Sequence, residues 1–514
     1  MTRRLAAAAL AGLVLAACSG DPSARSPSST DEADTPSPVP TAEGSQELPS
    51  LDPTTPAVSP EPTAAPQLRG IWAHLFDPSL KTREGITRLL DAAVAGNLNT
   101  VIVQAARRHD AFYASDVLPT TTDDELAGGL DVLAELVPAA HERGLQVHVW
   151  YSLVPSTHRT MLEEAVGDAH ISNQHGFGSA EPWLQAGNDP TYGYLDPAVP
   201  GFQEHAVAML REVVGRYDVD GIHLDYLRYE CLQVADDGGC LDADAGDPAT
   251  ANQHPVTMQR FAAHGDGSLG DFMRAQTEDL VRRVYLEVAD VDPNVVVSAA
   301  LIAQGDGPGA DREAFTRTKA WWNKGQDWAR WVEAGIVDHA YPMAYFREGE
   351  DRWARAYDDW VAFADLLDDE DHVVAVGQAA YLNCVDQSMA QVDEATAATD
   401  GVVIYSWQGL AAEDCEAEPG ELLRRLADGP FAEPAPVPAV PRKADPTAGH
   451  LLVAAEDGQQ VTVTRDGDTR TRRADATGHA GFPWVAPGEW EVAVDGTAIG
   501  TTTVAVGDVS RVGG

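Results

Sequence analysis

The sequence is short of positive charge. Its 514 residues carry 35 Lys and Arg against 80 Asp and Glu, a formal net charge of −45 at pH 7. Such a surface repels nucleic acid and anionic lipid headgroups, so neither is expected as a partner. Cysteine is scarce: there are five, and no two show Cys-x-x-Cys spacing, which disfavours a structural zinc site. No Gly-x-Ser-x-Gly marks a serine nucleophile, and no glycine-rich phosphate turn follows the first strand. That strand offers one histidine, His74, rather than the His-x-His of metal-dependent barrel hydrolases. Neither a metal nor a cofactor is therefore expected. The apolar run Leu5 to Ala17 is too short to be a stable membrane span.

What is present begins with a targeting segment, residues 1–18. Arg3 and Arg4 precede the apolar run, and Leu15-Ala-Ala-Cys18 matches the bacterial lipobox. The signal is then expected to be cut before Cys18 and that residue lipidated, tethering the protein outside the cytoplasmic membrane. Residues 19–66 are rich in Pro, Ser, Thr, Asp and Glu and cannot bury a core, so they are expected to be a disordered tether. In an oxidising compartment the four remaining cysteines are expected to form disulfides. Three pairings are possible. Close spacing favours Cys231–Cys240, which leaves Cys384–Cys415.

From residue 67 to 430 the chain alternates strand-like and helix-like segments. Eight β-branched or apolar runs stand out: Arg69–Phe76, Thr100–Ala105, Gln146–Tyr151, Gly221–Asp225, Val295–Ile302, Asp338–Tyr345, Val373–Gln378 and Val402–Trp407. Helical patterns lie between them, among them Arg83–Ala95, Val199–Arg216, Leu269–Ala289 and Arg352–Leu367, and Gly144 and Gly335 stand where helix C-caps are expected. Eight such alternations predict an α/β fold, a (β/α)8 TIM-type barrel. Two insertions, 152–195 and 228–268, follow the third and fourth strands, on the side where such barrels build active sites. A Pro/Ala linker, 431–446, leads to residues 447–514. There the alternation of apolar and polar residues around Asp-Gly and Pro-Gly turns predicts a small all-β sandwich.

The segment Tyr217-Asp-Val-Asp-Gly-Ile-His-Leu-Asp-Tyr-Leu-Arg-Tyr229 carries the strongest chemical signal. Gly221, His223 and Asp225 share one strand face, and Asp225 ends the strand. A carboxylate at the C-terminal end of a barrel strand is a catalytic candidate. Glycoside cleavage passes through an oxocarbenium-like state that such a carboxylate stabilises or attacks. Asp225 is thus expected as nucleophile or charge stabiliser. The bland alternative is a structural carboxylate paired with Arg228. A second acid is needed, and no other strand ends in one. Asp306 ranks first, since it continues the face of Ser298, Ile302 and Gln304; Glu348, Asp110 and Asp77 follow. His223 is either a sugar contact or a barrel-core histidine. The faces carrying Trp72 and His74, His148 and Trp150, and Tyr345, with Trp407 at the eighth strand's end, offer rings for sugar C–H faces. Barrel filling is the competing reading of all of them.

These fragments, in this order, resemble one family. Arg69-Gly-Ile-Trp72, Asn99-Thr-Val-Ile-Val-Gln104, Asp110-Ala-Phe-Tyr113, His141-Glu-Arg-Gly144, His148-Val-Trp150, Leu195-Asp-Pro197, the strand ending at Asp225, Tyr341-Pro-Met-Ala-Tyr345 and Gly401-Val-Val-Ile-Tyr405 are similar to glycosyl hydrolase-like family 10, long called DUF187. The resemblance spans roughly residues 67–410. It implies a TIM-type barrel and glycoside hydrolysis, with Gln104, His148, Trp150, Arg228 and Tyr345 among the substrate contacts. A member from a Gram-negative bacterium acts on peptidoglycan glycan strands lacking stem peptides, so cell-wall glycan is the implied substrate and partner. Two departures appear. The family's Gln-Val-Arg is here Gln104-Ala-Ala106 followed by Arg107 and Arg108, and Glu230 stands where a proline is usual. A glycan-binding lipoprotein without catalysis, or an envelope scaffold, is the alternative reading.

Overall fold

The structure, a computed structural model, describes residues 62–158, 167–176, 178–185, 192–232, 254–369 and 371–513. The expected signal segment, Cys18, most of the tether, Cys240 and stretches of both insertions lie outside the described residues.

Eight strands close into a barrel: β1 Leu68–Ala73, β2 Thr100–Ala106, β3 Gln146–Ser152, β4 Gly221–Asp225, β5 Val296–Ile302, β6 His339–Ala344, β7 Val373–Ala379 and β8 Gly401–Tyr405. All neighbours are parallel, and β1 closes the ring by pairing with both β2 and β8 (Gly70 opposite Thr100, Leu68 opposite Gly401). Nearly every strand residue is buried, because one face meets the helices and the other the lumen. That two-sided burial is why the strands read as apolar runs rather than as alternation. The helices between them start on polar caps. Thr82 Oγ1 accepts from the Gly85 N–H at 3.0 Å ahead of Arg83–Ala95, and a Ser268/Asp271 capping box opens the long helix Leu269–Val291.

Two strands end more than one residue short of expectation. β1 stops at Ala73, because the chain turns into a 3-10 helix, Pro78–Leu80, capped by Asp77. β8 stops at Tyr405. His74 and Trp407 therefore lie beyond their strands.

The Pro/Ala stretch, expected only to link, packs across the barrel's N-terminal end. Arg69 donates to the Glu433 carbonyl (2.8 Å) and Asn99 to that of Ala435 (3.0 Å). Val437 and Val440 join Leu68, Val373 and Val403 in the lumen cluster. Proline offers carbonyls and no N–H, so such a segment can seal an apolar opening while leaving few donors to satisfy.

The C-terminal residues form a three-stranded sheet (Gly449–Ala454, His479–Val485, Val509–Val512) and a four-stranded sheet (Gln460–Arg465, Asp468–Arg473, Gly488–Val494, Thr497–Val504). Their shared core holds Leu451, Val463, Phe482, Trp490 and Val492. This module docks on the helix Leu269–Val291, where Arg472 pairs with Glu278 (3.0 Å) and Arg511 with Asp290 (2.8 Å). Trp484 Nε1 donates to the Gly335 carbonyl at 2.7 Å. Cys384 and Cys415 form the expected disulfide. Cys231 is also disulfide-bonded.

Asp338, fully buried at the start of β6, ties barrel to connecting segment. It accepts from the Val297 N–H (2.9 Å), Tyr285 Oη (3.1 Å) and Arg442 Nη2 (3.0 Å), with Lys443 Nζ at 3.5 Å. Burial alone would raise its pKa, but Lys443 and Arg442 outweigh burial and hold it below the usual carboxylate range. We expect Asp338→Ala to cost about 3–5 kcal/mol in urea unfolding, since it strands two buried cations. Because the folded pKa is depressed, the wild-type contribution is present above about pH 4 and is lost as pH falls through the folded value. The gap between wild type and variant should narrow there. A gap that is small at pH 7 contradicts this account.

Candidate functional site

The lumen is filled first by a polar chain. Trp72 Nε1 donates to His223 Nε2 (3.1 Å), which leaves the His223 proton on Nδ1, 3.0 Å from Ser298 Oγ. His148 Nδ1 meets the same oxygen at 2.9 Å, and Ser298 donates onward to the Ile222 carbonyl (3.2 Å). One hydroxyl thus accepts twice and donates once, its full capacity. Burial drives both histidine pKa values down, His148 to about 3, so both rings are neutral. Gly221 is required here: a Cβ would sit 2.7 Å from the His148 ring. His148 and His223, two of the three histidines expected as candidate sugar contacts, are thereby placed in the packed lumen, with both His223 nitrogens already engaged.

Above this floor lies Asp225, 4% exposed. Its Oδ2 accepts from Trp150 Nε1 (3.0 Å) and, more weakly, from Ser152 Oγ (3.4 Å); its Oδ1 accepts from the Tyr226 N–H (2.7 Å). Ser152 in turn accepts from Gln104 Nε2 (3.2 Å), whose Oε1 is held by the Leu75 N–H (3.0 Å). The amide orientation is therefore fixed by backbone, and the chain runs one way, from the loop after β1 to the end of β4. Burial raises the Asp225 pKa; the charge of Arg228 and the three donors oppose it without cancelling it. Arg228 stacks 3.9 Å over the Tyr226 ring, and its Nε and Nη1 are buried without a hydrogen-bond partner among the described residues.

Aromatic rings border the carboxyl group. Tyr345 and Tyr405 stack at 5.2 Å, both partly exposed, and Tyr405 lies 6.0 Å from Trp72, 6.5 Å from Trp150 and 5.8 Å from Tyr381. Burial, reinforced by the nearby Asp225 charge, pushes both phenols up.

The structure thus brings together Asp225, Trp150, Gln104, Arg228 and Tyr345. Trp72 lies beneath them as floor. His74 borders Tyr405 at 6.4 Å. Trp407 instead joins the main hydrophobic cluster outside the lumen. Asp306 is 73% exposed at its side chain and paired with Arg352 (3.2 Å), away from the Asp225 cluster in its contacts. Asp77 caps the 3-10 helix, Asp110 accepts from Thr121 (2.6 Å), and Glu348 accepts from Gln391 (3.3 Å). Among the described residues no group of three His, Cys, Asp or Glu side chains could hold a metal ion. Sequence reasoning missed Ser152 and Tyr405. Ser152 continues the face of His148 and Trp150, and Tyr405 stands two residues before Trp407, the position singled out on the eighth strand.

An eight-stranded parallel barrel with a buried carboxyl group and tyrosines at the C-terminal ends of its strands has the build of a glycoside hydrolase-like TIM barrel. The chain belongs to the Glycosyl hydrolase-like 10 family, whose sequence model matches residues 67–381. It is 23% identical to glycosyl hydrolase YngK of Bacillus subtilis over 410 residues, covering 73% of this chain and 74% of that protein. It is 25% identical to glycosyl hydrolase DigH of Escherichia coli over 336 residues, 57% of this chain and 70% of that one. Among solved structures, the glycoside hydrolase domain of PgaB (BpsB) from Bordetella bronchiseptica aligns over 68% of this chain and 100% of its own length, with 14% identity and a TM-score of 0.45.

The Trp150 indole N–H reports the charge on Asp225. We expect its proton–nitrogen resonance to titrate with a midpoint above the ordinary aspartate value of about 3.9. A midpoint at or below that value shows that burial does not dominate.

Proposed function

We propose that this protein is a lipid-anchored glycoside hydrolase acting outside the cytoplasmic membrane on amino-sugar polysaccharide, with peptidoglycan glycan strands as the leading substrate. The observation that carries the reading is the setting of Asp225. A carboxylate has about four lone-pair sites. Three receive protein donors, from Trp150, Ser152 and the Tyr226 N–H, which leaves one for a proton or a substrate atom. Burial favours the protonated form. A carboxyl group at the mouth whose protonated form is favoured by burial is compatible with a general acid that protonates the leaving glycosidic oxygen, as well as with the nucleophile or charge stabiliser. The second carboxylate that the reaction needs is assigned to the loops that follow the strands. Tyr345 and Tyr405 supply ring faces for the sugar. Support for the substrate class comes from the family and from relatives named as glycosyl hydrolases; support for the compartment comes from the lipobox.

The test is reducing-end release from peptide-free peptidoglycan strands and from a panel of amino-sugar polysaccharides. Asp225→Asn should fold normally by circular dichroism and lose about 10²–10⁴-fold in rate. Full activity in the variant sinks the assignment. Glycan binding without release by either protein favours the non-catalytic glycan-binding reading. Anchoring is tested separately: Cys18→Ala should move the protein from the membrane fraction to the soluble one, and unchanged fractionation contradicts a lipid tether at that residue.

A further inference from the structure

We propose that Phe76 is a stacking platform for a sugar ring other than the one being cleaved, so that the mouth grips a length of glycan chain rather than a single sugar. The proposal rests on the glycan-cleaving reading of the Asp225 site and extends it.

Phe76 follows β1, on the side of the barrel where the strands end and Asp225 sits. Its side chain is 45% exposed, and it is the one aromatic residue among the large exposed hydrophobics of the described residues, with Leu366, Ile499 and Val506. A single exposed apolar side chain is ordinary. Two features set this one apart.

The first is that the ring is held. His74 lies edge-on to it at 5.3 Å, and the Arg107 guanidinium lies 5.6 Å from its centroid. Arg107 is itself pinned, donating to the Leu75 carbonyl and to Asp123, both at 3.3 Å. Asp123 also pairs with the buried Lys81 at 2.8 Å. A ring ordered before binding loses little freedom when a ligand stacks on it.

The second is continuity with the reacting group. From Phe76 the rings run to His74, then 6.4 Å to Tyr405, which stacks on Tyr345 and stands 6.5 Å from Trp150. Trp150 holds the Asp225 carboxyl group. Along this path His74 Nδ1 accepts from the Phe76 N–H (3.3 Å), so its proton sits on Nε2, a buried atom with no acceptor among the described residues. The path therefore has ring faces at both ends and an unmet donor between them. That combination suits a ligand with apolar C–H faces and many oxygens, a saccharide chain.

The experiment measures dissociation constants by calorimetry, on the full protein carrying Asp225→Asn, for chitooligosaccharides from disaccharide to octasaccharide and for peptide-free glycan strands. Cleavage of the same ladder by the wild type is followed in parallel. Affinity should rise with chain length. Adding Phe76→Ala should weaken the longer oligomers about tenfold and leave affinity flat with length. Phe76→Trp should restore the dependence. If the Ala variant keeps the full length dependence while the wild type cleaves the ladder, the platform is wrong and the glycosidase reading stands. If no glycan is bound or cleaved by any form, the glycosidase reading falls and the platform with it.

Discussion

Closing eight strands creates a lumen that water does not fill, and every polar atom placed in it needs a partner there. This barrel meets most of the condition with one serine, leaving His148 Nε2 and His339 Nε2 without a hydrogen-bond partner among the described residues. Ser298 Oγ on β5 joins His148 from β3 to His223 from β4, and His223 takes the indole N–H of Trp72 from β1. Four strands are thus tied by side chains as well as by their ladders. With the floor packed and fixed, the next pleat along β3 and β4 puts Trp150 and Asp225 together, and Asp225 lies 4% exposed among buried groups. The same desolvation that makes a buried carboxylate costly raises the Asp225 pKa above that of a solvated aspartate.

That environment is also directional. Trp150, Ser152 and the Tyr226 N–H all donate to Asp225, and the orientation of Gln104 is set by the Leu75 N–H. No rotation of an amide or hydroxyl can replace a donor with an acceptor without breaking a bond elsewhere in the chain. The site therefore holds its polarity before substrate arrives, as electrostatic preorganisation requires. The ends of β1 to β4 supply the polar half of the mouth, and Tyr345 and Tyr405, after β6 and on β8, supply an aromatic half.

Much of this was legible in the sequence because parallel barrel strands are buried on both faces. Thr100–Ala106 and Val373–Ala379 differ from the expected runs by one residue, and Gly221–Asp225 agrees at both ends. Depth was not legible. His148 and Trp150 share a face, as do His223 and Asp225, yet one of each pair is floor and the other borders the mouth. Which is which depends on strand stagger around the closed ring, a non-local property. The period-two reading was also carried past the true strand ends to His74 and Trp407, where turns redirect the side chains. The surroundings of Asp306 were hidden for a similar reason: the loop after β5 lies against the helix Asp351–Leu367, where Arg352 pairs with the carboxylate. The prolines of 431–446 looked like a spacer by composition, and only the barrel's open lower end explains why they pack.

Of the 35 basic residues 31 are arginines, and their placement shows where an acidic chain must hold itself together. Arg260 is buried on the helix Pro255–His264, within the second insertion, and grips Asp457 of the C-terminal module with two bonds, at 2.8 and 2.9 Å. The same guanidinium donates to the Ala198 carbonyl at 3.1 Å, beside Asp196. Asp196, fully buried, accepts from Tyr229 (3.0 Å), the neighbour of Arg228 in the loop that leaves β4. A bidentate carboxylate on a buried guanidinium is hard to replace with water. The module therefore reaches, through one ion pair and one buried aspartate, the loop that carries Arg228 to its place beside Asp225. This path makes the module a support for the barrel face that carries Asp225, whatever else its outer sheets contact.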